Sequence, residues 1–600
     1  MRARLERLAR RRPGWLRGTP GRLVGLAVVA LLVAAVVVSR GGGNDDAAAV
    51  SVQGGGPDAG VSGVRATSTK AGGTLRVVAG DLDDLDPQRS YSPGVWNLMR
   101  LYVRTLVTYS AEPGHTTDLV PDLATDLGQT PDDGRTWTFT LKANVKFETG
   151  QPITSRDVKY GIERLFAPDV VVGGPTQIVD LLDDPGNPYA GPYQDEAADK
   201  LGLGAIETPD DRTLVFHLRA ATPDFPYVLA LPASSPVPVA NDTGKDYGGD
   251  PVSSGPYAIT TVDAVTGIVL DRNPQWDRAT DAVRTALPDR IVVRTGMSGL
   301  ERDQALLAGS ADVDISASGV GTATQARLPE DGSGGVRLSD RVDQVATGAV
   351  RLLALPTDVA PMNDPQCRAA VALAVDRGAV RDALGAGADA VPTARLWPQE
   401  LAGGPGESAG GKADPGGARK ALAACGKPDG FSTVLAVADA PASVTVAQQV
   451  AKELAEVGID AEVRPLAASS FYAKDVGNPD NVRDNGYGIV LATWTAVVPT
   501  PAAFLQPLVD GRTVRSVGNT NYARLTDPAV DALVDAAVAA GPDRAAAARG
   551  WSQVADAASK TGAYVPLAES RVQLLAGQRL RNGVVMTPYT GYDLATAGVR

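Results

Sequence analysis

The run FSTVLAVADAPASVTVAQQVAKELAEVGIDAEVRPL, Phe431 to Leu466, contains the change of period that decides the fold. FSTVLAVAD is β-branched and apolar over a strand's length, SVTVAQQVAKELAEVG repeats apolar residues at helical spacing, and IDAEVRPL, with Asp460 at its opening, is again strand-like. That order predicts a βαβ unit with a right-handed parallel crossover. Upstream, AVRLLALPT from Ala349 reads as a strand and DPQCRAAVALAVDRGAVRDAL from Asp364 as a helix. Downstream, DPAVDALVDAAVAA and DRAAAARGWSQVADAASK read as helices, followed by strand-like AYVPLAES and VQLLAG. From about residue 350 the chain therefore reads as an α/β lobe.

The earlier half has a different texture. GGTLRVVAG from Gly72 is a short strand, and VWNLMRLYVRTLVTY from Val95 an amphipathic stretch. TPDDGRTWTFTLK from Thr130 and TPDDRTLVFHLR from Thr208 echo each other, each a turn followed by strict alternation. Alternation marks half-buried strands, so the pair predicts two exposed-edge β units of one subdomain.

A chain of 600 residues exceeds what one core usually spans, so two or more lobes are expected. With 44% hydrophobic and 21% charged residues it is globular, and 66 Gly with 43 Pro imply a loop-rich fold. The net charge is −12, yet the first 22 residues hold eight Arg and one Glu, so the rest is markedly acidic. An acidic body without a basic stripe disfavours nucleic acid as a partner. Two Cys and two His leave too few ligands for a zinc or iron–sulfur site, and no metal or cofactor is expected.

The Arg cluster precedes an unbroken apolar run, residues 23–38, which by the positive-inside rule puts the N-terminus in the cytoplasm and the body outside. No Cys follows the run, which excludes a lipoprotein, and an Ala-x-Ala sequence at Ala47 to Ala49 lies far from it. The expectation is a retained transmembrane helix, a single-pass protein of the cell membrane; a cleaved signal would make the body secreted. Residues 40–70 are Gly, Ala, Ser and Asp without periodicity, a flexible tether.

Two apparent catalytic signatures fail. Gly406, Ser408 and Gly410 fit G-x-S-x-G, but no strand precedes them and both histidines, His115 and His217, lie upstream. The same run has Ala413 where a P-loop needs Ser or Thr. His115 and His217 have no ligand or nucleophile at a useful spacing, and the pairs Asp83/Asp84 and Asp183/Asp184 point apart on any regular element. The body reads as one that binds rather than reacts. Cys367 falls near the start of one predicted helix and Cys425 at the end of another, before a capping Gly426, so a disulfide is expected in an oxidising compartment, two buried thiols being the alternative.

In order, GGTLRVVAGDLDDLDP, the long block LVPDLATDLGQTPDDGRTWTFTLKANVKFETGQPITSRDVKYGIER, SSGPY, NPQWD, CRAAVALAVDRGAV and NYARLTDPAVDALVDAA resemble the oligopeptide and dipeptide-type (family 5) solute-binding proteins of ABC importers, over residues 72–600. The resemblance implies an α/β, bilobal periplasmic-binding-protein-like fold with a hinge and an extra subdomain in the first lobe. Its parts are a basic tail (1–22), a transmembrane or signal segment (23–38), a flexible linker (39–70), lobe I (71–347, subdomain about 103–250), lobe II (348–560) and a return to lobe I (561–600). It further implies a monomer that is not an enzyme, closing on a peptide or other small solute and delivering it to an ABC permease. An anchored sensor of the same fold is the alternative, and an extracytoplasmic hydrolase a weaker one.

Peptide-binding members commonly carry an Asp shortly after a Trp, pairing with the peptide's α-ammonium. Here ATWTAVVPTPAAF keeps Trp494 but has Ala496, Val497 and Val498 where the acid is expected. The expected ligand site is therefore more apolar than in the peptide binders, with Trp494 and Thr495 facing Tyr91 and Trp96.

Overall fold

The strand that opens the folded body, β1 (Thr74–Val78), is buried along most of its length because it lies between two parallel neighbours, and the helix after it, α1 (Pro93–Met99), is buried on all sides but one residue. The amphipathic pattern expected there is absent: even Asn97 and Arg100 are inside, Asn97 donating to the Tyr592 carbonyl (2.7 Å) and Arg100 pairing with Asp593 (3.1 Å). The computed structural model describes residues 56–599 except 132–133, 183–185, 264–266, 330–336, 385–389, 402–410 and 542. The apolar run 23–38, Ser408 with its flanking glycines, and Asp183/Asp184 lie outside the described residues.

The two echoing segments pair with each other. In the subdomain, β2 (Thr136–Thr140), β3 (Ile206–Glu207) and β4 (Thr213–His217) form an antiparallel sheet in the order β2-β4-β3, with Trp137 opposite Phe216 and Phe139 opposite Leu214, and helix α2 (Ser155–Glu163) follows β2 in the chain. β4 is thus central rather than an edge. Alternation places Trp137, Phe139, Leu214 and Phe216 on the buried face, where Phe139 and Phe216 meet edge to face at 5.9 Å.

β5 (Tyr257–Asp263), β6 (Gly267–Arg272), β7 (Arg290–Arg294), helix α3 (Gly299–Leu307) and β8 (Val313–Asp314) return to β1 and complete a five-stranded sheet, β8-β1-β7-β6-β5. A buried charge network locks the join: Asp122 accepts from Arg104 (2.7 Å) and Arg284 (2.8 Å), and Asp281 from Arg284 (3.1 Å).

The second lobe is a six-stranded sheet. Its elements are β9 (Val342–Ala354), α4 (Pro365–Ala374), α5 (Arg377–Ala383), β10 (Ala390–Pro392), α6 (Pro415–Ala424), β11 (Phe431–Ala438), α7 (Pro441–Ala455), β12 (Ile459–Leu466), β13 (Ile489–Thr495), α8 (Pro501–Val509), α9 (Pro528–Ala539), α10 (Arg544–Lys560) and β14 (Tyr564–Leu575). The strand order is β10-β14-β9-β13-β11-β12. The βαβ unit is present, β11 and β12 pairing in parallel from Phe431–Ile459 to Ala438–Leu466. The helix expected over 364–384 is two helices, because the Asp376 carboxylate caps a new N-terminus by accepting from Gly378 (2.8 Å) and Ala379 (3.0 Å). Cys367 and Cys425 are joined, tying α4 to the end of α6, and Gly426 takes the left-handed φ of 74° that a cap after Cys425 needs.

The two late runs AYVPLAES and VQLLAG form one strand, β14, which pairs antiparallel with β9 along nearly its whole length. These two strands pass between the lobes. Val345 and Leu574 pack in the first lobe's core, whereas Val350, Leu352 and Tyr564 pack in the second's. Between them the register slips at Ala346 and Val350, around Gly348 at φ 70°. After Leu575 the tail packs in the first lobe's core through Leu580, Tyr589 and Tyr592.

The end of the expected tether is not free. A helical turn, Ala59–Ser62, and Arg65 clasp β9: Gly60 N–H (2.7 Å) and the Arg65 guanidinium (2.8 Å from both Nε and Nη2) donate to the buried Asp343 carboxylate. Five donors in a planar fork suit such a two-oxygen acceptor, which explains how a segment without large apolar residues stays packed.

In α2, burial pushes the Glu163 carboxyl from its ordinary 4.5 up to about 8, against the pull of the Leu203 N–H and Lys159. Lys159, desolvated beside it, is lowered, so at 3.8 Å burial outweighs their attraction. The unfolded chain therefore loses this proton first, and stability falls as pH rises between 4.5 and about 8. Glu163→Gln removes that loss: melting curves should converge with wild type below pH 4.5 and favour the variant, by several kcal/mol, above pH 8. Parallel pH profiles for the two proteins would refute this.

Candidate functional site

β13 ends at the site. Its residues Ile489 to Ala492 are buried between β9 and β11, but Trp494 and Thr495 run beyond β11's pairing. Trp494 lies opposite Val350 and so faces the second lobe's core side. Its indole is half-buried, donating from Nε1 to the Phe504 carbonyl (2.8 Å), with edge contacts to Phe504 (6.4 Å) and Tyr522 (6.3 Å). The chain then turns through Val497 and Val498 into α8, whose start is fixed by Pro501 and by Thr500 Oγ1 accepting from Ala503 N–H (3.2 Å).

Against this edge stands the first lobe, and between them lies a cleft of about 440 Å³. The second lobe contributes Trp494, Thr495, Val497, Ala503, Pro507 and Arg515; the first contributes Gln177, Asp180, Leu181, Thr222, Asp224 and Val228. A neighbouring cavity of about 630 Å³ shares Leu181, Thr222, Asp224, Ala502 and Gln506 and extends the cleft toward Arg512 and Trp551. Gln177 Oε1 is buried without a hydrogen-bond partner among the described residues, an acceptor placed for an N–H entering the cleft.

Of the four residues expected at the site, Trp494 and Thr495 line the cleft. Tyr91, 47% exposed, stands at its margin, its hydroxyl 3.5 Å from Gln177 Nε2. Trp96 does not line it: the ring is buried in the first lobe's core, donates to the Ser90 carbonyl (3.1 Å) and backs Tyr91 edge to face at 5.9 Å. The first-lobe wall was not legible. Gln177, Thr222 and Asp224 lie in stretches whose sequence has no feature setting them apart. The lining also carries Asp180, Asp224 and Arg515, so it is less free of charge than expected, although Asp180 is exposed. The histidines are elsewhere, His115 against Asp118 and His217 against Glu207, each at 2.9 Å on the surface.

A two-lobed α/β body with a cleft at its hinge defines a solute-binding protein. Residues 118–516 match the bacterial extracellular solute-binding proteins, family 5, middle part, and the chain belongs to that family. The glutathione-binding protein GsiB of Salmonella paratyphi A is 23% identical over 480 residues, 78% of this chain and 84% of its own. The oligopeptide-binding protein OppA of Bacillus subtilis is 26% identical over 272 residues, 42% of this chain and 44% of its own. Among solved structures, the clavulanic acid biosynthesis oligopeptide binding protein 2 superposes with a TM-score of 0.85 at 37% identity, covering 91% of this chain and 99% of that one. The murein tripeptide binding protein MppA, in its unliganded open form, gives a TM-score of 0.71 at 20% identity over 89% of this chain and 98% of its own, a likeness of fold. As a family 5 protein, the chain is the solute-binding part of an ABC importer for peptides or related solutes, with permease subunits as partners, and family members work outside the cell or in the periplasm. Among the described residues no helix is long and apolar enough to cross a membrane.

Proposed function

We propose that this protein is a membrane-anchored receptor whose cleft takes a neutral or N-terminally blocked peptide, a glycoside or an apolar solute, rather than a free dipeptide, and delivers it to its permease. The observation that carries this reading is that Val497 and Val498 line the cleft wall in the stretch Ala496–Val498, shortly after the Trp, where peptide binders of the family commonly carry an acid. An ammonium buried there without a counter-charge costs several kcal/mol. Of the carboxylates on the other wall, Asp180 is exposed, where a solvated ion pair returns about 0–1 kcal/mol, and Asp224 is already engaged within the protein, so neither replaces it. Trp494, Val497, Leu181 and Val228 supply apolar surface, and Gln177 an acceptor suited to an amide N–H.

Calorimetry with di- and tripeptides bearing free or acetylated N-termini tests the reading. Acetylated peptides should bind at least as tightly as free ones; tight binding that requires a free N-terminus and survives Trp494→Ala would overturn it. Native mass spectrometry of protein purified without refolding would reveal a retained solute. Deletion of the gene should abolish uptake of that solute, whereas a sensor of the same fold would leave uptake intact. A mature N-terminus near Val50 would show that the apolar segment is removed rather than kept as the anchor.

A further inference from the structure

A second cavity, of about 340 Å³, lies on the hinge itself and shares no lining residue with the cleft. Its floor is the two crossing strands, through Gln344, Val345 and Ala346 of β9 and Arg571 of β14. The first lobe walls it with Thr116, Thr117, Val585 and Thr587, and the second with Glu400. Its volume falls in the range of small-molecule sites, about 300–1,000 Å³.

Two charged side chains of opposite sign meet it with unfinished hydrogen bonding. Glu400 Oε2 and Arg571 Nε are both buried, and neither has a partner among the described residues. The Arg571 guanidinium makes a long contact through another nitrogen, Nη1 to Gln344 Oε1 at 3.5 Å. Glu400 also makes itself felt nearby: burial first, and then Glu400, push the neighbouring Glu569 carboxyl upward against Arg571 and Arg395. Leaving a buried ionic donor and a buried ionic acceptor unmatched costs free energy that a ligand with the complementary pair of charges would recover.

We propose that this hinge cavity is a second binding site, for a small zwitterion such as a free amino acid, whose ammonium is held by Glu400 and whose carboxylate is held by Arg571. Glu400 belongs to the second lobe and Thr117 and Val585 to the first, so the bound zwitterion bridges the lobes across their pivot. By reciprocity, any preference it has for one lobe angle changes the affinity of the cleft for its own solute by the same factor. The inference is independent of what the cleft binds.

The test is titration of the full chain with L-glutamine, with N-acetyl-L-glutamine, which lacks the ammonium, and with L-glutaminamide, which lacks the carboxylate. L-Glutamine should bind, and each one-charge analogue should bind roughly tenfold or more weaker, the effect of losing one hydrogen bond to a charged group. Glu400→Gln and Arg571→Gln should each weaken L-glutamine similarly, and Trp494→Ala should not. If Arg571→Gln fails to fold, Glu400→Gln decides alone, since Glu400 lies in a loop. No binding of L-glutamine, equal binding of the three probes, or binding lost in Trp494→Ala but kept in Glu400→Gln would each overturn the proposal. The last outcome would place the amino acid in the cleft and leave the cleft's role as a solute site standing.

Discussion

Trp494→Ala should weaken binding of the cleft's solute by roughly 30-fold or more, the effect of removing an aromatic anchor worth about 2 kcal/mol or above. The indole is fixed in place before any solute arrives. Its N–H is already satisfied by the Phe504 carbonyl, so the ring offers the cleft a rigid apolar face and no unmet donor. Because the ring also contacts Phe504 and Tyr522, the alanine variant should lose some thermal stability, and binding must be compared below both melting transitions. Trp494→Phe should retain most of the stability and part of the affinity. An alanine variant that folds and binds the native solute unchanged would remove this edge from the site.

Replacing Cys367 and Cys425 together by alanine should destabilise the folded protein by about 4 kcal/mol on the chain-entropy argument, since the bridge closes a loop of 58 residues. Its two ends sit on α4 and at the end of α6, both in the second lobe, so the cross-link restrains one lobe and does not join the two. The double variant, or the protein in reductant, should therefore melt at lower temperature yet bind its solute with little change below the transition. Thiol titration of the unfolded, unreduced protein should find no free thiol. Two titrating thiols, or an affinity that collapses on reduction while the fold persists, would contradict this.

What the sequence made legible is what rests on local periodicity. β11, α7 and β12 stand where the pattern from Phe431 to Leu466 places them, because strand and helix periods differ and both are expressed over full element lengths. The echo of Thr130 and Thr208 predicted paired β units, though not that β4 would be central, since a half-buried pattern is the same for an edge strand and a middle one. Asp376 reads as one more residue on a helical face until its carboxylate is seen capping the next helix. Trp494 and Thr495 line the cleft wall, and the resemblance pointed to them because a Trp at a strand's end and the missing acid over Ala496–Val498 are both read within one short segment. Trp96 was misplaced because a buried and a cleft-facing Trp look alike in one sequence, and Gln177, Thr222 and Asp224 are joined to the site only by how the lobes meet.

The clasp between Arg65 and Asp343 fixes where the chain leaves the body. Asp58 N–H donates to the Val342 carbonyl (2.9 Å), and the Arg65 guanidinium holds the Gly56 carbonyl (2.9 Å), so residue 56 departs beside the first residues of β9. That strand is one of the two that run from one lobe into the other. If the lobes turn about these strands, a pull applied at residue 56 acts close to the axis of rotation, where its lever arm is short and it exerts little torque. Were the N-terminal segment kept as the proposed anchor, such a body could be tugged, dragged or reoriented without being prised open, and its grip on the solute would be left to the chemistry of the cleft.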